Sequence, residues 1–240
     1  MKTFTSNLKN ISPFIFLLGL PAVLLTSCSK PVVTGNINTP IAAVAFIQAS
    51  PDEPTLDIFF NNSRYNTTPI VYGSAYSYAN VNAGKVPVAI YNDANVKAIA
   101  TDTIQFNQNT AYSLFLTNTV SNPQLFLLTD ALVAPPTGAC SIRFINLSPD
   151  APAVDLVIKG GSAIASNLAF KGYTSFLPEQ GNTFYTLEVH TAGTSTVLAT
   201  LANMKFQTGF VYTVWFHGLA AGTTSTDKLA VDIISNTYFM

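Results

Sequence analysis

Apolar and polar residues alternate along this chain with a period of two, and no stretch keeps a helical period for three turns. Val154, Leu156 and Ile158 alternate with Asp155, Val157 and Lys159, and Tyr185, Leu187 and Val189 alternate with Thr186, Glu188 and His190. Met204 and Phe206 bracket Lys205. Tyr212, Val214 and Phe216 then share one face of a strand, with Thr213, Trp215 and His217 on the other. Successive side chains of a strand point to opposite faces, so each run predicts a strand with one face in a core. Turn signals separate the runs: Lys159-Gly160-Gly161, Gln180-Gly181-Asn182, Ala192-Gly193 and Thr208-Gly209.

The pattern occurs twice. Ser50-Pro51-Asp52-Glu53-Pro54-Thr55-Leu56-Asp57 returns as Ser148-Pro149-Asp150-Ala151-Pro152-Ala153-Val154-Asp155, a spacing of about a hundred residues that marks one module used twice. Phe46-Ile47 precedes the first copy and Phe144-Ile145 the second, and Phe106 and Tyr112 answer to Phe206 and Tyr212. Roughly seven short strands per module is the count of an immunoglobulin-like sandwich. Phe206-Gln207-Thr208-Gly209-Phe210-Val211-Tyr212 resembles the tyrosine corner of Greek-key sandwiches, in which the phenol hydroxyl bonds to backbone near the turn. Asn109 takes the place of Gly209 in the first module, and Asn is the non-Gly residue that best tolerates a left-handed backbone.

The expected fold is therefore all-β, with two tandem immunoglobulin-like Greek-key β-sandwich domains at residues 41–130 and 140–240. Residues 131–139 form a Pro-rich linker, where Pro135-Pro136 favours a stiff spacer and an end-to-end arrangement of beads.

Ahead of the modules, Lys2 and Lys9 precede an apolar run from Ile11 to Leu25 that ends at Thr26-Ser27-Cys28. A basic start, a short apolar stretch and small residues before a cleavage point make a secretory signal peptide, residues 1–27. Leu25-Thr26-Ser27-Cys28 resembles the lipobox of bacterial lipoproteins, which implies lipidation of Cys28 and a lipidated tether over residues 28–40. Acyl chains at about 0.8 kcal/mol per buried methylene hold a protein on a membrane without a spanning helix. The expected address is the outer membrane of a Gram-negative cell, with the periplasmic or exterior side left open.

Removing residues 1–27 takes away Lys2 and Lys9 and no acid, leaving nine basic and twelve acidic residues and a formal net charge of −3. No basic stripe exists to neutralise phosphates, which argues against nucleic acid as a partner. With Cys28 acylated, Cys140 has no disulfide partner and reads as a small buried residue.

In the repeated motif the two prolines suit a rigid turn entering a strand, with Asp52 and Asp150 closing an Asx turn. A second reading makes Asp52, Asp57, Asp150 and Asp155 candidate calcium ligands, since that ion takes oxygen donors. The same segment, with Arg143-Phe144-Ile145-Asn146-Leu147 before it and Tyr185-Thr186-Leu187-Glu188-Val189 behind, resembles the bacterial domain-of-unknown-function family 4397. The resemblance covers the second module and, with more divergence, the first. There Glu53 stands at the Ala151 place, Pro87 at that of Thr186, and Asn109 at that of Gly209. It implies extracytoplasmic immunoglobulin-like modules, often in tandem on lipoproteins, and adds nothing about chemistry.

Only His190 and His217 are available as neutral-pH bases, and neither lies in a hydrolase or metal-binding spacing. The chain reads as no enzyme, with no catalytic residue, no cofactor and no metal beyond the calcium candidates. The expected role is structural or adhesive in the cell envelope, with a membrane as partner through the N-terminal lipid. Polysaccharide or another envelope protein is the further partner, and the alternative function is a glycan or envelope-polymer binding module that uses an aromatic surface of the first repeat. Tyr72, Tyr76 and Tyr78 share a parity there, Tyr65 precedes them, and exposed rings are platforms for sugars. Phe170, Tyr173 and Phe176 read as core of the second repeat. Asp102-Thr103-Ile104 resembles a short bacterial O-glycosylation acceptor, with Thr103 expected to face outward.

Overall fold

A computed structural model describes residues 39–239 apart from Glu53, Pro54, Val96 and Ser225. The signal peptide, Cys28 and the tether up to residue 38 lie outside the described residues. Among the described residues every regular element is a strand. The first eight are β1 (Ile41–Gln48), β2 (Leu56–Phe60), β3 (Ser63–Arg64), β4 (Ala75–Asn82), β5 (Gly84–Asn92), β6 (Ala98–Phe106), β7 (Ala111–Thr117) and β8 (Gln124–Asp130). They build two four-stranded sheets, in the orders β4-β1-β7-β8 and β3-β2-β5-β6.

The next eight are β9 (Ala139–Asn146), β10 (Val154–Ile158), β11 (Ala163–Leu168), β12 (Leu177–Gln180), β13 (Thr183–Thr191), β14 (Val197–Phe206), β15 (Phe210–His217) and β16 (Ala230–Tyr238). Their sheets run β12-β9-β15-β16 and β11-β10-β13-β14, so each strand lies where its counterpart eight places earlier lies in the first set. The protein is two β-sandwiches of one design. Strand β1 runs parallel to β7, and β9 to β15; the other neighbours are antiparallel. Each sandwich has eight strands where about seven were expected, because the third strand has no alternation to read: β3 is two exposed residues, and β11 is buried at two adjacent residues, Ile164 and Ala165.

Alternation places the cores. Val44, Phe46, Leu56, Ile58, Val86, Val88, Ile90, Phe106 and Leu114 fill the first sandwich. Phe144, Val154, Leu156, Leu187, Val189, Phe206, Val214 and Phe216 fill the second. The tyrosine corners form as the sequence predicts. Asn109 has φ 57° and Gly209 φ 82°. The N–H of Asn107 donates to the Tyr112 hydroxyl at 3.0 Å, and that of Gln207 to the Tyr212 hydroxyl at 3.1 Å.

A third core corrects the beads arrangement. Ala45, Ile47, Ala49, Phe115 and Leu128 of the first sandwich pack with Ile145, Leu147 and Trp215 of the second. The reason lies in β1, β7, β9 and β15, which are buried almost continuously rather than on alternate residues. A strand apolar on both faces needs cover on both. Sheet β4-β1-β7-β8 therefore packs against sheet β12-β9-β15-β16, and Pro135-Pro136 joins two touching bodies. The contact faces correspond residue for residue: Ala45 to Arg143, Ile47 to Ile145, Ala49 to Leu147, Ser113 to Thr213, Phe115 to Trp215. Each sandwich offers the other its own counterpart face, as in a two-fold interface.

Candidate functional site at the seam

Six buried polar or charged residues, Ser113, Asp130, Arg143, Thr213, His217 and Asn236, gather on this seam. Arg143 stands at the place of Ala45 and carries a guanidinium into an otherwise apolar and hydroxyl-bearing face. Its Nη1 donates to Asp130 Oδ1 at 2.6 Å, across the end of the linker. Its Nη2 donates to Ser113 Oγ at 3.2 Å and to Thr213 Oγ1 at 2.9 Å, and the ring of Phe176 lies 4.6 Å from the guanidinium carbon. Asp130 also accepts from Ser113 Oγ at 2.7 Å and from the Tyr78 hydroxyl. Asn236 of β16 closes the circuit, donating to the Tyr78 hydroxyl at 2.8 Å and accepting from Thr213 Oγ1 at 2.7 Å. Burial and the charge of Asp130 together hold the Tyr78 phenol well above its ordinary range. A charge pair so placed is tolerated because its donors and acceptors are met within the seam.

At another point of the seam, Tyr72 Oη lies 2.5 Å from His217 Nδ1, and His217 Nε2 lies 2.8 Å from Asp232 Oδ2. His217 is buried, and its ring stacks on Trp215 with centroids 4.1 Å apart. Burial, then the charges of Asp232 and Asp227, raise the Tyr72 phenol. Sequence reasoning missed this chain because His217 shares parity with Thr213 and Trp215, the face taken to be solvent. The signal available was Trp215 itself, a large apolar ring on that face. A Tyr–His–Asp line can relay a proton, but here it joins two sandwiches and its phenol holds its proton firmly.

The four candidate tyrosines do not form one platform. A β-bulge where β1 meets β4 shifts the register between Val44 and Phe46, which breaks the parity of Tyr76 and Tyr78. Tyr76 packs on the first core beside Tyr65, with ring centroids 5.3 Å apart, and its hydroxyl accepts the Thr67 N–H at 3.1 Å. The Tyr65 hydroxyl donates to the carbonyl of Val44, and burial pushes its pKa up to about 12. Tyr72 and Tyr78 belong to the seam. Conversely Tyr173, expected in the core of the second repeat, is 51% exposed.

The repeated aspartates are occupied by the fold. Asp52 Oδ1 accepts the N–H of Val120 at 2.8 Å and Asp150 Oδ1 that of Ala220 at 2.8 Å. Ser50 Oγ donates to the carbonyl of Asn118 at 2.6 Å, as Ser148 Oγ does to that of Gly218 at 2.8 Å. The motif is thus a clasp onto the loop after β7 or β15, where the sequence predicted a local Asx turn; Glu53 and Pro54 lie outside the described residues. Asp57 pairs with Arg64 at 2.5 Å and accepts from Asn66 at 2.9 Å. Asp155 accepts the N–H groups of Asn167 at 2.7 Å and Gly193 at 2.9 Å. Each carboxylate is engaged apart from the others. Among the described residues no group of three or more His, Cys, Asp or Glu side chains could hold a metal ion. Cys140 is buried against the carbonyl of Glu179, 3.6 Å away. His190 meets Glu188 at 3.1 Å, and Thr103 faces outward on β6.

Comparison with known proteins adds three findings. No curated protein matches the sequence. Among solved structures the chain is similar to CBMbc (family CBM26) from Eubacterium rectale Amy13K, solved in complex with maltoheptaose. The identity is 9% over 82% of this chain and 97% of that one, and the TM-score of 0.25 carries no argument about fold or ligand. The family model DUF4397, a domain of unknown function, matches residues 42–157, so a domain of that family is found from β1 into β10.

Proposed function

We propose that this chain is a lipid-anchored, non-catalytic protein of the bacterial cell envelope with a structural or adhesive role, and that it uses the domain of unknown function twice. The observation that carries this reading is the seam. A shared apolar core and a buried ion-pair network join two sandwiches of one design into a single block. Such a block suits holding a position off a membrane better than it suits closing over a substrate. The buried Arg143–Asp130 pair and the hydroxyl and amide groups around it are engaged in that joint rather than gathered around an open reaction centre. The anchor rests on the Leu25-Thr26-Ser27-Cys28 pattern.

The experiment is fractionation and palmitate labelling of cells carrying the wild-type chain or Cys28→Ala, followed by protease treatment of intact cells. The wild type partitions with the outer membrane and takes the label, while Cys28→Ala is released unlabelled. Cleavage on intact cells places the block outside and makes its role adhesive; protection until the outer membrane is opened makes it a periplasmic scaffold. An unlabelled, soluble wild-type protein ends the reading.

A further inference from the structure

Among the clefts between the two like sandwiches, two stand at corresponding places on opposite sides of the seam, and this pair has diverged. The smaller, about 240 Å³, is lined by Ala45, Ala75 and Tyr78 on one wall and by Ile234 and Asn236 on the other. The larger, about 530 Å³, is lined by Arg143, Tyr173 and Phe176 on one wall and by Thr129, Ala131 and Val133 on the other. The walls correspond. Tyr173 bridges Ile145 as Ala75 pairs with Ile47, and Phe176 precedes Leu177, the partner of Ile142, as Tyr78 precedes Ala79, the partner of Val44. On the small side the Tyr78 hydroxyl, bonded to Asp130 and Asn236, reaches across and narrows the gap. On the large side Phe176 lies against the Arg143 guanidinium instead, and the gap stays open. The width of the open cleft is therefore not forced by the packing, since the same packing leaves its counterpart less than half as large.

We propose that the larger seam cleft binds a chain of uncharged hexopyranose units. A pyranose presents a flat C–H face and a rim of hydroxyls, and it needs an aromatic plate beside hydrogen-bonding edges. Tyr173 supplies the plate: its ring is 51% exposed and braced edge-on by Phe126, 6.3 Å between centroids. Thr129 and Ser175 supply exposed hydroxyls at the rim. Thr174 Oγ1 is fixed by accepting the Phe144 N–H at 3.0 Å, so its own proton points elsewhere as a donor. Charge selects against acidic or basic ligands. Arg143 is the one charged lining residue, and its side chain is 3% exposed and neutralised by Asp130 at 2.6 Å. The volume lies within the range of about 300–1,000 Å³ usual for small-ligand sites.

This inference stands apart from the anchoring proposal, and its test uses the mature chain carrying Cys28→Ala. Cellohexaose, mannohexaose and maltohexaose are each titrated to millimolar concentration while backbone and Tyr173 ring resonances are followed by NMR. At least one of them shifts the residues lining the larger cleft. Tyr173→Ala then weakens binding about tenfold or more, with an unfolding midpoint near wild type because its ring is half exposed. Ala131→Trp, which fills the cleft, abolishes binding, and Tyr76→Ala leaves it unchanged. Cleft resonances that stay still with all three sugars overturn the proposal. So does binding that survives both cleft variants, or that responds to Tyr76→Ala instead.

Discussion

Single residues in this protein are held by bonds that the repeat duplicates, which makes their contributions comparable within one molecule. Tyr112 and Tyr212 accept from Asn107 and Gln207 in the same way. Tyr112→Phe or Tyr212→Phe removes one buried acceptor and lowers stability by about 1 kcal/mol; urea midpoints identical to wild type in both variants would refute the corner as a stabilising device. Asp150→Ala takes the acceptor from Ala220 N–H and costs a similar amount, whereas adding calcium or a chelator leaves the midpoint where it was. Cys140 has a distinct signature. Burial pushes its thiol from an ordinary 9.0 up to about 11. The folded chain therefore keeps that proton when the unfolded chain has lost it. The associated stability is complete below about pH 9 and is lost as pH rises towards about 11. Urea midpoints measured across that window should fall more steeply for the wild type than for Cys140→Ala, and parallel curves would contradict the assignment.

Strands β1, β7, β9 and β15 explain why the sandwiches touch. Each is buried on both faces, and the outer faces meet around Ile47, Ile145, Phe115 and Trp215. The Arg143–Asp130 pair sits inside that contact. Arg143→Met leaves Asp130 buried without its cation, and Asp130→Leu leaves the guanidinium alone, so each single change costs about 3–5 kcal/mol. The double variant restores apolar complementarity and is more stable than either single one. A double variant whose loss equals the sum of the two would show that the groups do not interact. The bulge between Val44 and Phe46 matters at the same scale, because it turns Tyr76 toward the first core and Tyr78 toward the seam.

For the molecule as a whole, the shared core predicts one cooperative transition rather than two. Trp215 is the only tryptophan in the chain and lies in the seam, 1% exposed. Its fluorescence reports the joint, while far-UV circular dichroism reports both sandwiches. The two signals should follow one urea curve; a tryptophan transition at clearly lower urea would mean that the sandwiches separate before either unfolds.

Much of this was legible in the chain itself. Period-two alternation determined the strands and the residues inside each sandwich, because one side chain in two must leave water. The repeated Ser-Pro-Asp motif and the paired Phe and Tyr positions determined that the design occurs twice. Asn109 and Gly209 announced their left-handed corners, since few other residues accept that backbone. The seam was decided only by tertiary structure. Alternation tells which residues share a face, but not whether that face meets water or another sheet, so Trp215 and His217 looked like an outer surface. A one-residue bulge likewise reverses facing without leaving a mark in composition, which is why Tyr76 and Tyr78 looked like parts of one platform. The open cleft beside Tyr173 exists because faces of two separate sandwiches meet and leave a gap that no local pattern encodes.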